Sequence, residues 1–297
     1  MPESWEDRFE SLRASRVLTH NADYLEFLVS KVWRIDRQPL KVAEFGCGFG
    51  RFASMILPLL SGGSLYAGFD SAANLVSKGK EIFAGSQYRF SIVRGEARHA
   101  PLRDAHFDVT IAHLLLMHVP DPEQVLREMI RVTRPGGLLI ACDANRNGHN
   151  ALLHIEESDE QENVDLELIQ TVNRSIRHKS GVDFNIGMKT PVLMNRLGLK
   201  NVQARLSDLV ALIIPPLDTP EQEQVFRAMC SEGLGYEPTE EAEIDRWREQ
   251  LIEHGVSREK ADREIRRQLG RDFLHKGRNY HTVSASAFTF SFGTVPA

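Results

Sequence analysis

The stretch Lys41–Ala53, KVAEFGCGFGRFA, constrains this chain more than any other. Lys41-Val42-Ala43-Glu44-Phe45 is a short apolar run broken by one carboxylate. Gly46, Gly48 and Gly50 alternate after it, and Phe52, Met55, Ile56 and Leu59 then recur at helical spacing. That pattern predicts a strand, a tight loop and a helix whose apolar face packs on a sheet. Residues without a Cβ let the loop take positive φ and let a ligand approach the main chain closely.

The spacing limits which ligand. A dinucleotide fingerprint places glycines at the first, third and sixth positions so that a pyrophosphate reaches the helix N-terminus. Here the sixth position is Arg51. An ordinary strand-to-helix turn could use the same residues, so the loop alone does not decide. The next strand, Leu65–Asp70, ends in a carboxylate 20 residues past Gly50. An acid at that strand tip can accept both ribose hydroxyls of an adenosyl group. NAD enzymes use the same device, so Asp70 supports an adenosyl ligand without choosing the cofactor.

Further along, a helix is expected over about 72–83 and a third strand around Tyr88–Val93. Arg94-Gly95-Glu96-Ala97, Pro101-Leu102 and the strand Phe107–Ala112 follow. That strand runs into His113-Leu114-Leu115-Leu116-Met117-His118. Pro122–Val132 reads as a helix with Val125, Leu126, Met129 and Ile130 inward, and Arg134-Pro135-Gly136-Gly137 as a turn before a fifth strand, Leu138–Cys142.

Together these segments resemble the class I S-adenosylmethionine (SAM) methyltransferases of the type 11 kind. The resemblance is carried by the acid-x-Gly-x-Gly-x-Gly loop at Glu44–Gly50, the Gly95-Glu96-Ala97 segment with Pro101-Leu102 and Phe107-Asp108-Val109, and the run LREMIRVTRPGGLLI at 126–140. It covers about residues 41–143. It implies a Rossmann-like open α/β sheet of seven mostly parallel strands with the last reversed, helices on both faces, N-terminal helices and a helical insertion as lid. The implied cofactor is S-adenosyl-L-methionine. Glu44 would orient the ammonium side of its methionine moiety, and Gly46, Cys47 and Gly48 would form the loop it lies against. Asp70 would take the ribose, while Gly95, Glu96 and Ala97 would meet the adenine, Glu96 through its amino group and Ala97 through a ring nitrogen. N-terminal helices often fold over the cofactor in such enzymes, which makes Tyr24 a candidate contact; a packing role for it is the reading the sequence favours.

Bulk properties exclude several classes. Hydrophobic residues make up 42% and charged residues 26% of the 297 positions, as in ordinary soluble globular chains. A net charge of −5 disfavours nucleic acid as a partner. No apolar run approaches the roughly 20 residues that span a bilayer, and the acidic opening MPESWEDRFE lacks a signal-peptide core, so a cytoplasmic location without membrane attachment is expected. The cysteines, Cys47, Cys142 and Cys230, form no paired motif. Cys47 could make the pocket redox-sensitive or simply be a small residue that fits.

The remainder divides the chain. Residues 1–40 read as an N-terminal helical cap, with one face at Trp5, Phe9 and Leu12 and another at Tyr24, Leu25, Phe27, Leu28, Val32 and Trp33 after Asn21 as N-cap. Residues 41–216 and 281–297 make the cofactor-binding domain. In it Val164–Ile176 reads as a helix, Thr190-Pro191 opens another that Gly198 ends, and Asn201–Ile214 and His281–Val295 alternate as long strands. Residues 217–280 form a helical insertion, with caps at Thr219, Thr239 and Ser257 and a stop at Gly255. It would cover the acceptor site or make a homodimer contact. Its run of arginines is interleaved with acids, as on a solvated helix face.

In an open parallel sheet ligands sit beyond the carboxyl ends of the strands, which places His113 where cofactor and acceptor meet. His113, then His118, are the candidate acid/base or acceptor-orienting residues, with His149 a further imidazole; packing roles stand beside these. No metal is expected, because no H-E-x-x-H occurs and His113 and His118 lack ligand spacing. The expected reaction is methyl transfer to a small-molecule acceptor, aromatic or amine-containing in its chemistry. A SAM-binding protein without transfer, or an NAD oxidoreductase, are the alternatives.

Overall fold

Alternating side chains on β1, Lys41–Phe45, divide the core into two layers. Ala43 and Phe45 face one way and Val42 the other. The first layer joins them to Ala112, Leu139 and Ala141, under Leu126 and Met129 of the helix Pro122–Val132 and Met194 of the helix Thr190–Arg196. The second joins Val42 to Val109, Ile111, Ile140, Cys142 and Phe290, covered by Leu25, Leu28, Trp33, Phe52 and Ile56.

The computed structural model describes residues 16–156, 164–235, 238 and 240–297. The face expected from Trp5, Phe9 and Leu12 lies outside them, as does Thr239. With β2 (Leu65–Asp70), β3 (Arg89–Arg94), β4 (Phe107–His113), β5 (Thr133–Ala144), β6 (Leu153–Ile155), β7 (Lys200–Leu206), β8 (Val210–Ile213), β9 (Thr282–Ala285) and β10 (Phe288–Thr294), the chain forms two sheets. The main sheet has seven strands in the order β3-β2-β1-β4-β5-β10-β7. β1, β2, β3, β4 and β5 pair in parallel, and β10 runs antiparallel to both β5 and β7. This is the Rossmann-like sheet with a reversed last strand that the sequence leads one to expect. Strand order reverses direction between β1 and β4, and a crevice opens at such a switch point.

A second sheet was not expected. β6, β9 and β8 form a three-stranded antiparallel sheet, in that order. It arises because both long strand candidates are split. Asn201–Ile214 breaks at Ser207, whose hydroxyl donates to the Thr19 carbonyl. His281–Val295 breaks at Ser286-Ala287, where the Ser286 hydroxyl donates to Leu18 and the Ala287 carbonyl accepts from Asn145. Each strand therefore contributes one half to each sheet.

The N-terminal cap is also adjusted. The helix Ala22–Phe27 widens into a π-turn over Leu28–Trp33, so Leu25, Leu28, Val29 and Trp33 face inward and Phe27 is 46% exposed. Asn21 occupies the N-cap position, but its side chain reaches Asp208 and makes no cap hydrogen bond. In the insertion, Thr219 and Ser257 do cap their helices, each accepting from the amide three residues on. No helix among the described residues is long and apolar enough to cross a membrane.

Phe290, fully buried between β5 and β7 in the second layer, tests this packing. Phe290→Ala should cost about 3–5 kcal/mol in chemical denaturation, whereas Phe27→Ala should stay within about 0.5 kcal/mol. Similar costs for both would contradict the assignment of faces.

Candidate functional site

A cavity of about 700 Å³ opens at the carboxyl ends of β1, β2 and β4. Glu44, Gly46, Cys47, Gly48, Asp70, Gly95, Glu96, Ala97, His113 and His118 all line it. Tyr24 does not. Its hydroxyl donates to the Leu206 carbonyl at 2.9 Å and its ring stacks on Phe27, which fixes it against the start of the β7–β8 break instead.

The loop after β1 is shaped by its own backbone. Gly48 sits at φ +55°, and a Cβ added there would meet no protein atom within 4 Å. Its bare face is therefore a cradle turned to open space. The Gly48 N–H donates to Asp70 Oδ2 at 2.9 Å, and Ala72 N–H donates to Oδ1 at 2.9 Å. Each carboxylate oxygen keeps a further lone pair, so Asp70 can still accept hydroxyl donors. Burial raises its pKa, while the amides of Ala72, Gly48 and Ser71 oppose the shift.

The other members differ in character. Glu44 is 1% exposed and accepts from the Tyr66 hydroxyl at 2.9 Å. The Cys47 thiol is pushed well up, first by burial and then by Glu44 and Asp70, and so stays protonated. A protonated thiol is a poor redox centre, which leaves Cys47 as a small residue packed against the bare Gly68. Ala97 is buried, whereas Glu96 is exposed and lies 3.4 Å from Arg98 Nε, a weak partner that an adenine amino group could displace.

His113 ends β4 with its ring stacked on Phe52, centroids 4.3 Å apart. Its Nε2 lies 2.7 Å from Nε2 of His20, whose Nδ1 lies 3.3 Å from the Ser207 hydroxyl. Ser207 spends its one hydroxyl proton on the Thr19 carbonyl, so His20 must donate through Nδ1. With both rings neutral, His20 Nε2 then accepts from His113 Nε2–H. His20 escapes any local sequence pattern because it stands 93 residues from His113. His118 lies in a short turn, edge-on to Phe184. The His149 pKa is lowered by burial and then by Arg146.

Beyond these groups the wall is mixed. Leu115, Met117, Phe184 and Phe288 give apolar surface, and Arg146 and Glu232 face each other at 3.7 Å. Ser231, Glu232 and Gly233 come from the 217–280 block. A second cavity of about 320 Å³ shares Leu18, Arg146, His149, Glu232 and Gly233 with the first. The His118 turn is held from beneath by Asp143 Oδ1, which accepts from Met117 N–H at 3.0 Å.

Two expectations follow. Gly48→Ala should cost about 1–2 kcal/mol of stability for its left-handed backbone and weaken adenosyl-ligand binding by more than tenfold; unchanged affinity by calorimetry would refute the cradle. Burial raises the Asp143 pKa well above its ordinary value, so the native state holds a proton that the unfolded chain releases. Stability from that proton is full below the unfolded carboxylate value of about 3.9 and is lost as pH rises through the native value. Asp143→Asn should therefore gain on the wild type as pH rises from about 4 towards neutrality. A constant difference in melting temperature would contradict it.

Known proteins resemble this chain in sequence over part of its length and in fold over most of it. Residues 43–141 match a family model described as a methyltransferase domain. The chain is 29% identical over 147 residues to a demethylmenaquinone methyltransferase of Desulfitobacterium hafniense, covering 46% of this chain and 57% of that protein. It is 31% identical over 124 residues to the sterol 4-C-methyltransferase strm-1 of Caenorhabditis elegans, covering 38% and 36%. The chain thus spans about half, or less, of the length of these curated relatives. In fold it is similar to phosphoethanolamine N-methyltransferase 2 of Haemonchus contortus in complex with S-adenosyl-L-methionine, with a TM-score of 0.54 at 10% identity, covering 99% of this chain and 60% of that one. The matched segment carries the glycine loop and the strands β1 to β5 up to Ala141, so a third of this chain is similar to a methyltransferase domain and the strand order around it is that of the same fold.

Proposed function

We propose that this protein transfers the methyl group of SAM to a small-molecule acceptor. The observation that carries the reading is the pairing of the bare Gly48 face with the buried Asp70 carboxylate at the mouth of the cavity. Support also comes from the relatives, whose names describe methylation of demethylmenaquinone and a sterol.

Asp70 would accept the ribose hydroxyls and Glu96 and Ala97 would take the adenine edge. Glu44, with Tyr66 fixing one of its oxygens, would attract the ammonium end of the methionine moiety. When bound, SAM supplies a sulfonium methyl already activated for in-line displacement. The protein's task is then to hold an acceptor at near-attack distance and keep water away, which can contribute about 7–11 kcal/mol in favourable cases. Leu115, Met117, Phe184 and Phe288 would exclude water around an apolar, ring-bearing or amine-bearing acceptor. Ser231–Gly233 would close over it, which gives the 217–280 block the role of a cover. An acceptor that must lose a proton would give it to His113, which lines the cavity and connects to His20; His118 is the second candidate. A cytoplasmic setting completes the reading.

Calorimetry with SAM, S-adenosylhomocysteine and NAD in parallel tests the cofactor: binding of the first two and not the third is expected, and NAD binding alone would overturn the proposal. A screen of amine, phenol, carboxylate and indole acceptors with labelled methyl tests the transfer. With an acceptor identified, His113→Ala should lower turnover by about 100-fold or more while SAM affinity changes little. Equal turnover would remove His113 from the chemistry.

A further inference from the structure

On the sheet face beneath Phe52, three donor atoms converge from distant parts of the chain. His20 follows the short turn Arg16–Leu18, His113 ends β4, and Cys142 lies on β5, where the strand register sets it beside His113. His20 Nε2 lies 2.7 Å from His113 Nε2 and 3.9 Å from Cys142 Sγ. All three donor atoms lie within 4.8 Å of one another, and all three residues are buried.

The surroundings are those of a ligand set as well as of a packed core. A metal-binding imidazole usually has its other ring nitrogen fixed by a hydrogen bond, which orients the ring and leaves the first nitrogen basic. His20 has this arrangement, with Nδ1 held by Ser207 and Ser207 held by Thr19. Phe52 stacked on His113, and Phe290 4.7 Å from the His20 ring centroid, restrict both imidazoles. His113 also lines the large cavity, which gives an ion a route in.

The geometry points to a binding site for one thiophilic divalent ion, of the zinc or cadmium kind, held by His20 Nε2, His113 Nε2 and Cys142 Sγ. One thiolate and two imidazoles suit such ions, and three protein ligands leave a fourth position for water or another small ligand. Metal–nitrogen bonds of about 2.0–2.1 Å and a metal–sulfur bond of about 2.3 Å require the two nitrogens to part to about 3.3 Å. Binding of the ion would turn the two rings apart by that amount.

Proton balance is simple. The Cys142 thiol releases its proton to solvent, and His113 binds as a neutral ring with its proton on Nδ1, so one proton leaves per ion bound. The ion replaces the hydrogen bond between the rings. Metal occupancy and proton transfer from His113 to His20 therefore exclude each other, and the site itself does not depend on the methyl-transfer reading.

The test is a Cd²⁺ titration of chelator-treated full-length protein, followed by calorimetry and by the ultraviolet thiolate-to-metal charge-transfer band. One equivalent per chain is expected. Cys142→Ser should abolish the band and weaken binding by more than about 100-fold, Ser207→Ala should weaken it by about tenfold, and Cys230→Ala should leave both readings unchanged. X-ray absorption on the zinc-loaded wild type needs no variant, and should show one sulfur and two imidazole nitrogens. A band that survives Cys142→Ser in a folded protein, or a zinc shell with no sulfur or several, would overturn the proposal.

Discussion

The Asp70 carboxylate is the interaction on which the site depends. One oxygen receives the Gly48 amide from the loop after β1, and the other receives the Ala72 amide from the loop after β2. Two neighbouring strand ends are thereby tied together, and the loop that carries Gly48 is held by its own backbone amide. The same oxygens retain lone pairs for a donor from outside. In the proposed reading one group serves structure and recognition, and burial raises its pKa.

The second layer of the core supplies the other half. β4 and β5 put His113 and Cys142 side by side, and the N-terminal segment adds His20 above them. That segment is pinned by Ser207 and Ser286, the residues at which the two long alternating stretches break. The break in each strand, the small sheet and the placement of His20 are consequences of one set of hydrogen bonds. The segment acts as a wall of the cavity, with Leu18 and Thr19 in its lining, and Tyr24 beyond the rim.

What could be read from the sequence follows this division. The glycine loop, the acid at the end of β2 and the helical spacing at Pro122–Val132 are local signals, each set by the chemistry of consecutive residues, and the seven-stranded sheet is what their resemblance to the class I SAM methyltransferases implies. The splitting of Asn201–Ile214 and His281–Val295 left only a small trace, Asp208 at an apolar position in one and a shift of apolar phase between Ala287 and Phe288 in the other. The inward face of the first helix shifted because the π-turn changes its period. His20 had no signal at all, since its partners lie 93 and 122 residues away. Helical caps at Thr219 and Ser257 were legible, being short-range, while the reach of Ser231–Gly233 into the cavity depended on tertiary packing.

The geometry at the mouth of the cavity points to an adenosyl thioether as its ligand. A crystal structure of the protein with S-adenosylhomocysteine tests it most directly. Ribose density on Asp70, adenine beside Glu96 and Ala97, and the sulfur directed towards the His113 end of the cavity are expected. Density elsewhere, or a diphosphate seated on the Gly46–Gly50 loop, would contradict it.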